Sequence, residues 1–136
     1  GYENLCAIDT SEEMMRVLKK LQLPIEYKIM NGVDLSFSSY DTCVMCMVLH
    51  EMPEIAHREM ITALLSAARD QVWLIDIHPA YKPSLIMLTG EPYITNYLRT
   101  IDHTIEDVAE KNGVNVQVND IVCKRVRVWM LEKKKG

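Results

Sequence analysis

No apolar run in this 136-residue chain approaches the roughly 20 residues that a membrane-crossing helix requires. Nothing at its start has the layout of a signal peptide, and Gly1 in place of Met suggests a processed or excerpted chain. Basic charge is short as well. Fifteen Lys and Arg stand against 19 Asp and Glu, a net charge of −4, which leaves no positive footprint for nucleic acid. The one basic cluster, Lys133-Lys134-Lys135, reads as a solvated chain end. Disorder is excluded too, because 49% hydrophobic and 25% charged residues are ordinary globular values. The chain has no internal repeat and no linker, and its length suits one domain, 1–136, with a core of its own.

Cysteine is sparse: Cys6, Cys43, Cys46 and Cys123. Three lie in apolar strand-like runs and Cys123 lies beside one. Cys43 and Cys46 have metal-like spacing, but side chains three apart on a strand point to opposite faces. No Gly or Pro between them supplies a turn, so neither a zinc nor a redox site is expected. Reduced cysteines buried in a core imply an intracellular compartment, the cytoplasm or an organellar stroma or matrix.

What is present alternates. Leu5-Cys6-Ala7-Ile8 reads as a buried strand ending on Asp9. Thr10 and Glu13 form a capping box for a helix through about Leu21. Met14, Met15, Val17, Leu18 and Leu21 give that helix an apolar face. Ile25 to Met30 is a short strand, and Asn31 to Phe37 is the loop at its end. Thr42 to Leu49 is a nearly unbroken apolar run, as expected of a strand covered on both faces. Pro53 starts a helix through Arg69, and Val72 to Ile77 is the next buried strand, ended by Asp76, His78 and Pro79. Pro83, Gly90 and Pro92 punctuate a less regular stretch that holds a short helix around Tyr93 to Arg99. Thr104 caps a further helix, with Glu106 and Asp107 in its first turn, and Asn112-Gly113 ends it. Strands over Val114 to Val122 and Arg125 to Leu131 close the chain as an antiparallel pair. Alternation of strands with helices predicts an α/β fold with a doubly wound, mostly parallel sheet.

Asp9 carries the most chemistry. An acid that ends a buried strand just before a helix can accept hydrogen bonds from both hydroxyls of a nucleotide ribose, charge-assisted and directional. The bland alternative is a helix cap. Here Thr10 reads as the better cap, which frees Asp9 for another task.

Four segments together resemble class I S-adenosylmethionine-dependent methyltransferases of the type 11, small-molecule kind. Ala7-Ile8-Asp9-Thr10-Ser11 with Met14 is similar to the family's hydrophobic-Asp-x-Ser-x-x-Met segment. Asn31-Gly32-Val33-Asp34-Leu35-Ser36-Phe37 resembles its Asp-Ala-x-x-Leu-Pro-Phe loop. Tyr40-Asp41 through Leu49-His50-Glu51-Met52-Pro53 resembles the strand that ends in Leu-His-x-x-Pro. Arg127-Val128-Trp129 with Lys133 resembles the last strand. In this order and spacing the four cover nearly the whole chain. The family's opening strand, its following helix and its Gly-x-Gly turn have no counterpart here, and Asn31 stands where Asp is commoner.

The resemblance implies a Rossmann-like sheet with a C-terminal antiparallel strand and the first strand-helix unit missing. It also implies S-adenosylmethionine as cofactor and a small-molecule methyl acceptor. Asp9 would hold the ribose hydroxyls, Thr10 would pack beside the adenine, Asn31, Gly32 and Val33 would frame the adenine edge, and Cys46 would pass beneath the cofactor. His50 is the candidate general base, needed only where the acceptor arrives protonated; the alternative is a histidine that orients the helix after Pro53. The missing strand would lie between the Leu5 and Thr42 strands, so that these pair directly or a strand is borrowed from a partner chain or a second copy. With no glycine turn, this chain alone is expected to bind the cofactor weakly or not at all. The competing reading from another class is a catalytically inactive methyltransferase-like binding or regulatory module. A nicotinamide-dependent short-chain dehydrogenase is disfavoured, since no tyrosine has the lysine four residues on that such enzymes need.

Overall fold

The computed structural model describes residues 3–134; Gly1 and Lys135 lie outside the described residues. The chain divides into two compact units, Gly1–Leu35 and Ser36–Gly136. No helix of the described residues is long and apolar enough to cross a membrane.

In the first unit, β1 (Cys6–Asp9) and β2 (Glu26–Ile29) pair in parallel, with Asp9 opposite Ile29. Parallel neighbours need a crossover, here α1 (Glu12–Lys19). The cap is not the expected Thr10. Ser11 is the N-cap, its Oγ accepting the Met14 N–H at 3.2 Å. Asp9 Oδ1 accepts the Ser11 N–H at 2.8 Å, which turns the chain over Thr10 and delivers Ser11 to the cap position. The helix also stops short of Leu21. Its last turn tightens into i→i+3 bonds, and Gln22 adopts a left-handed φ of 52°. Of the apolar residues on α1, Met15 is buried, whereas Met14 and Val17 are exposed, as is Leu21 beyond its end.

The second unit contains β3 (Tyr40–Cys46), α2 (Glu54–Ala67), β4 (Ala68–Ile77), α3 (Leu85–Gly90), α4 (Ile94–Asn112), β5 (Asn115–Val122) and β6 (Val126–Glu132). Its sheet has the order β3-β4-β6-β5, parallel between β3 and β4 and antiparallel in the other two ladders. The α/β class, the parallel pairs and the closing antiparallel strands are as the sequence predicts. Among the described residues, β1 pairs with β2 alone and β3 with β4 alone.

The core of this unit lies where α2 and α4 meet and α2 covers β4. Ile61, Leu64 and Leu65 of α2, Ile101 and Ile105 of α4, Val72 and Leu74 of β4, and Trp129 and Leu131 of β6 are all buried. Each contributes about 1.5–3 kcal/mol by leaving water. Polar ties fix the register of the layers. Asp102 of α4 accepts from Trp129 Nε1 at 2.8 Å and from Arg127 Nη1 at 3.2 Å. Arg127 Nε donates to Asp120 Oδ1 of β5 at 2.9 Å. Lys133 is no solvated tail residue, because its Nζ donates to the Ala68 carbonyl at 2.6 Å; Lys134 is exposed.

Three further expectations change. The strand β3 is not covered on both faces: Val44 and Cys46 are exposed and Cys43 is buried, consistent with its single strand neighbour. The predicted break between Arg99 and Thr104 is absent, and one 19-residue helix runs through both, with Thr104 buried inside it. No Pro or Gly interrupts the chain between Pro92 and Gly113, and Thr104 shares a face with Ile101, Ile105 and Val108, so burial outweighs its preference for a cap. The expectation of core-buried cysteines holds for Cys43 alone. All four are free thiols, with Cys6 half-buried and Cys46 and Cys123 exposed.

Candidate functional site

The residues singled out from sequence fall at the carboxyl ends of parallel strands, where open α/β sheets bind ligands. In the first unit Asp9 is the last residue of β1, half-buried, and Thr10 follows it, exposed. The ends of β1 and β2 are held together by the Met30 N–H, which donates to the Asp9 carbonyl at 3.0 Å. This brings Asn31, Gly32 and Val33 beside Asp9 and Thr10. Both polar side chains also serve the local backbone. Asp9 Oδ1 holds the Ser11 N–H, and Asn31 Oδ1 accepts the Val33 N–H at 3.2 Å, capping a 3-10 turn over Gly32–Asp34. A carboxylate offers about four acceptor positions, so Asp9 Oδ2 and the second lone pair of Oδ1 stay available for two ribose hydroxyls.

In the second unit Cys46 is the last residue of β3 and is exposed. The chain then turns at Met47, which has a φ of 56°. A left-handed backbone at a bulky residue is uncommon and is held here by the Met47 N–H donating to the Ile75 carbonyl at 2.8 Å. It delivers a 3-10 turn, Leu49–Glu51, to the end of β4.

At that point a buried dyad forms. Asp76, 1% exposed, accepts four hydrogen bonds. Oδ2 takes the backbone N–H groups of Leu49 at 2.8 Å and His50 at 3.3 Å. Oδ1 takes His50 Nδ1 at 2.6 Å and the Ile77 N–H at 2.7 Å. Such an arrangement fixes the tautomer of His50 and leaves Nε2 as the outward-facing nitrogen, 4.0 Å from Glu51 Oε1. Burial opposes the imidazolium, but the hydrogen bond and charge of Asp76, with help from Glu51 and Glu91, outweigh it and raise the His50 pKa above its ordinary 6.5. Tyr97 of α4 stands edge-on to the His50 ring, centroids 6.2 Å apart. Its hydroxyl donates to the Ile77 carbonyl at 2.7 Å, and burial pushes its pKa up.

Sequence reasoning placed Asp76 only at the end of a strand and missed it as the partner of His50. The signal was an acid inside an otherwise apolar strand, which needs buried donors. It also missed His57, which takes the helix-orienting role considered for His50. His57 is fully buried, and its Nε2 donates to the carbonyls of Leu49 at 2.7 Å and Met52 at 3.0 Å, pinning the turn before α2.

No family model matches the chain, and no curated protein does. Many solved structures are similar to it. Magnesium protoporphyrin IX methyltransferase from Synechocystis PCC 6803, solved with bound SAH, aligns over 96% of this chain with a TM-score of 0.69 and 16% identity. The alignment takes in 64% of that enzyme, so the present chain spans less than two thirds of its length. A SAM-dependent methyltransferase from Aquifex aeolicus aligns over 95% of this chain and 68% of its own, at 20% identity and a TM-score of 0.67. One from Mesorhizobium loti aligns over 98% and 82%, at 14% identity and a TM-score of 0.70. At these identities the likeness is one of fold: the chain has the α/β architecture of class I methyltransferases.

Proposed function

We propose that the chain is the C-terminal part of a catalytic domain that transfers a methyl group from S-adenosylmethionine to a small-molecule acceptor. One observation carries the reading. A fold shared across 95–98% of the chain with methyltransferases places an acid, Asp9, at the end of β1 beside the Asn31–Val33 turn. In this reading Asp9 takes the ribose hydroxyls, and Thr10 and the Asn31-Gly32-Val33 turn frame the adenine. Held by these residues, the cofactor would supply an activated methyl group for in-line displacement by the acceptor's lone pair. Alignment of the reacting atoms supplies most of the acceleration. His50 Nε2, its ring held by Asp76, takes the acceptor's proton where there is one to lose.

The 136 residues contain no Gly-x-Gly turn, so they hold the ribose and adenine side of the cofactor with little grip on the methionine. Binding by this chain is accordingly weak, about 1 mM or poorer. The test is a two-dimensional NMR titration of the chain with S-adenosylhomocysteine. Saturable shifts confined to the amides around Asp9 and Asn31–Val33, and lost in Asp9→Ala, support the reading. Absence of any shift at several millimolar ligand removes the nucleoside role proposed for Asp9 and the Asn31–Val33 turn. Micromolar binding overturns the expectation of a weak grip.

A further inference from the structure

The outward nitrogen of His50 does not face solvent alone. The Glu51 and Glu91 carboxylates converge on it, and one ligand atom from each of the three residues lies within 4.8 Å of the other two. The three come from two places in the second unit. His50 and Glu51 lie in the turn before α2, and Glu91 lies between α3 and α4, where its N–H donates to the Met87 carbonyl and its carbonyl accepts the Ile94 N–H.

We propose that His50 Nε2, Glu51 and Glu91 form a binding site for one divalent transition-metal cation of the zinc class, with Asp76 as the positioning residue behind the histidine.

Two features of the structure support this site beyond the cluster itself. The first is the Asp76–His50 hydrogen bond. Histidines that ligate metals nearly always donate their other ring N–H to a carboxylate or carbonyl, which orients the ring and raises its basicity as a ligand. Here Asp76 Oδ1 takes Nδ1 at 2.6 Å while the imidazole side chain is only 7% exposed, so Nε2 is presented in one direction. The second is the charge balance. Three carboxylates, Asp76, Glu51 and Glu91, gather around the His50 ring. A dication offsets two of those charges where an imidazolium offsets one.

One nitrogen and two carboxylate oxygens suit zinc or manganese, whereas calcium takes six to eight oxygens. Three protein ligands are the complement of an open, reactive metal site. Glu51 is exposed and Glu91 half-buried, so both can close onto an ion without disturbing the core. The lone pair on Nε2 serves either a cation or an acceptor's proton, so the metal site and a general-base role for His50 are alternatives. Cation binding needs neither cofactor nor acceptor, and its outcome is separate from that of the methyltransferase reading.

The test uses the full chain freed of metal by chelator, then titrated with Zn²⁺ by calorimetry and with Co²⁺ by visible absorption. We expect one Zn²⁺ per chain, a raised Tm, and cobalt d–d bands of a four- or five-coordinate site. Glu91→Gln and Glu51→Gln, which change polar groups outside the core, should each weaken Zn²⁺ by about tenfold or more and reduce the cobalt bands. Removing the exposed thiols with Cys46→Ser and Cys123→Ser should leave both signals unchanged. The proposal is overturned if Zn²⁺ fails to bind at 100-fold molar excess. It is equally overturned if binding survives both glutamate variants, or if it disappears with the cysteines.

Discussion

Asp76 shows how much one buried carboxylate can organise. Each oxygen accepts two hydrogen bonds, so the NH₂ of Asp76→Asn faces either the Leu49 and His50 N–H groups or, flipped, the Ile77 N–H and a His50 Nδ1 that must change tautomer to accept. A buried donor left facing a donor costs roughly 1–3 kcal/mol, and either orientation leaves at least one. Asp76→Asn should therefore destabilise the chain by about 2–4 kcal/mol in urea unfolding; a loss under 0.5 kcal/mol would show that the dyad is not formed. His57 makes a complementary case. Its Nε2 bridges two carbonyls of the turn, while Nδ1 is buried without a partner. His57→Gln keeps a donor within reach of those carbonyls, whereas His57→Leu does not. Leucine should cost more, by about 1 kcal/mol or above, and equal losses would mean that packing rather than the bridge matters there.

Among the elements, those with a strong period or a special backbone were legible, and those decided by tertiary contacts were not. Gly113 ends α4 with a φ of 64°, as Asn112-Gly113 suggested. A Cβ built there meets nothing within 4 Å, so Gly113→Ala isolates the left-handed backbone cost. It should lower stability by about 1 kcal/mol, and Gly113→Asn by less. If alanine proves neutral, the helix does not end in this conformation. Thr104 misled because a cap and a buried helical threonine look alike until Ile101, Ile105 and Val108 are seen on its face. Ser11 and Thr10 are likewise indistinguishable as caps until Asp9 is seen to bind the Ser11 N–H.

The contact between α2 and α4 adds a pH dependence. Arg58 Nη2 donates to Asp107 Oδ2 at 2.9 Å, and this bond holds the Asp107 pKa below its ordinary 3.8, against some desolvation. Since the folded value is the lower one, the unfolded chain binds the proton more readily. The bond's contribution is present above the ordinary value and lost as pH falls through the folded one. Asp107→Asn should flatten the acid limb of the unfolding midpoint against pH and change little at pH 7. An unchanged acid limb would mean that the pair is not maintained in solution.

For the whole chain, burial is distributed unevenly. Among the described residues, every buried apolar one except Met15 belongs to Ser36–Gly136. The first unit holds its β-structure in one two-stranded parallel sheet, an arrangement marginal in water. The second has four strands and the long helices α2 and α4. Sequence patterning could not foresee this contrast, because the Leu5 run looks as apolar as the Thr42 run; what differs is how many neighbours each acquires. The residues proposed to bind nucleoside therefore sit on the less stable part, as ligand-binding segments often do. Native-state hydrogen exchange should find amides of β1 and β2 protected roughly a hundredfold less than those of β4 and β6, a gap of about 2.7 kcal/mol. Saturation with S-adenosylhomocysteine should narrow that gap selectively, since a ligand stabilises what it binds. Equal protection in both units without ligand would show that the first unit's sheet is as stable as the rest, and that nucleoside binding has no ordering left to do.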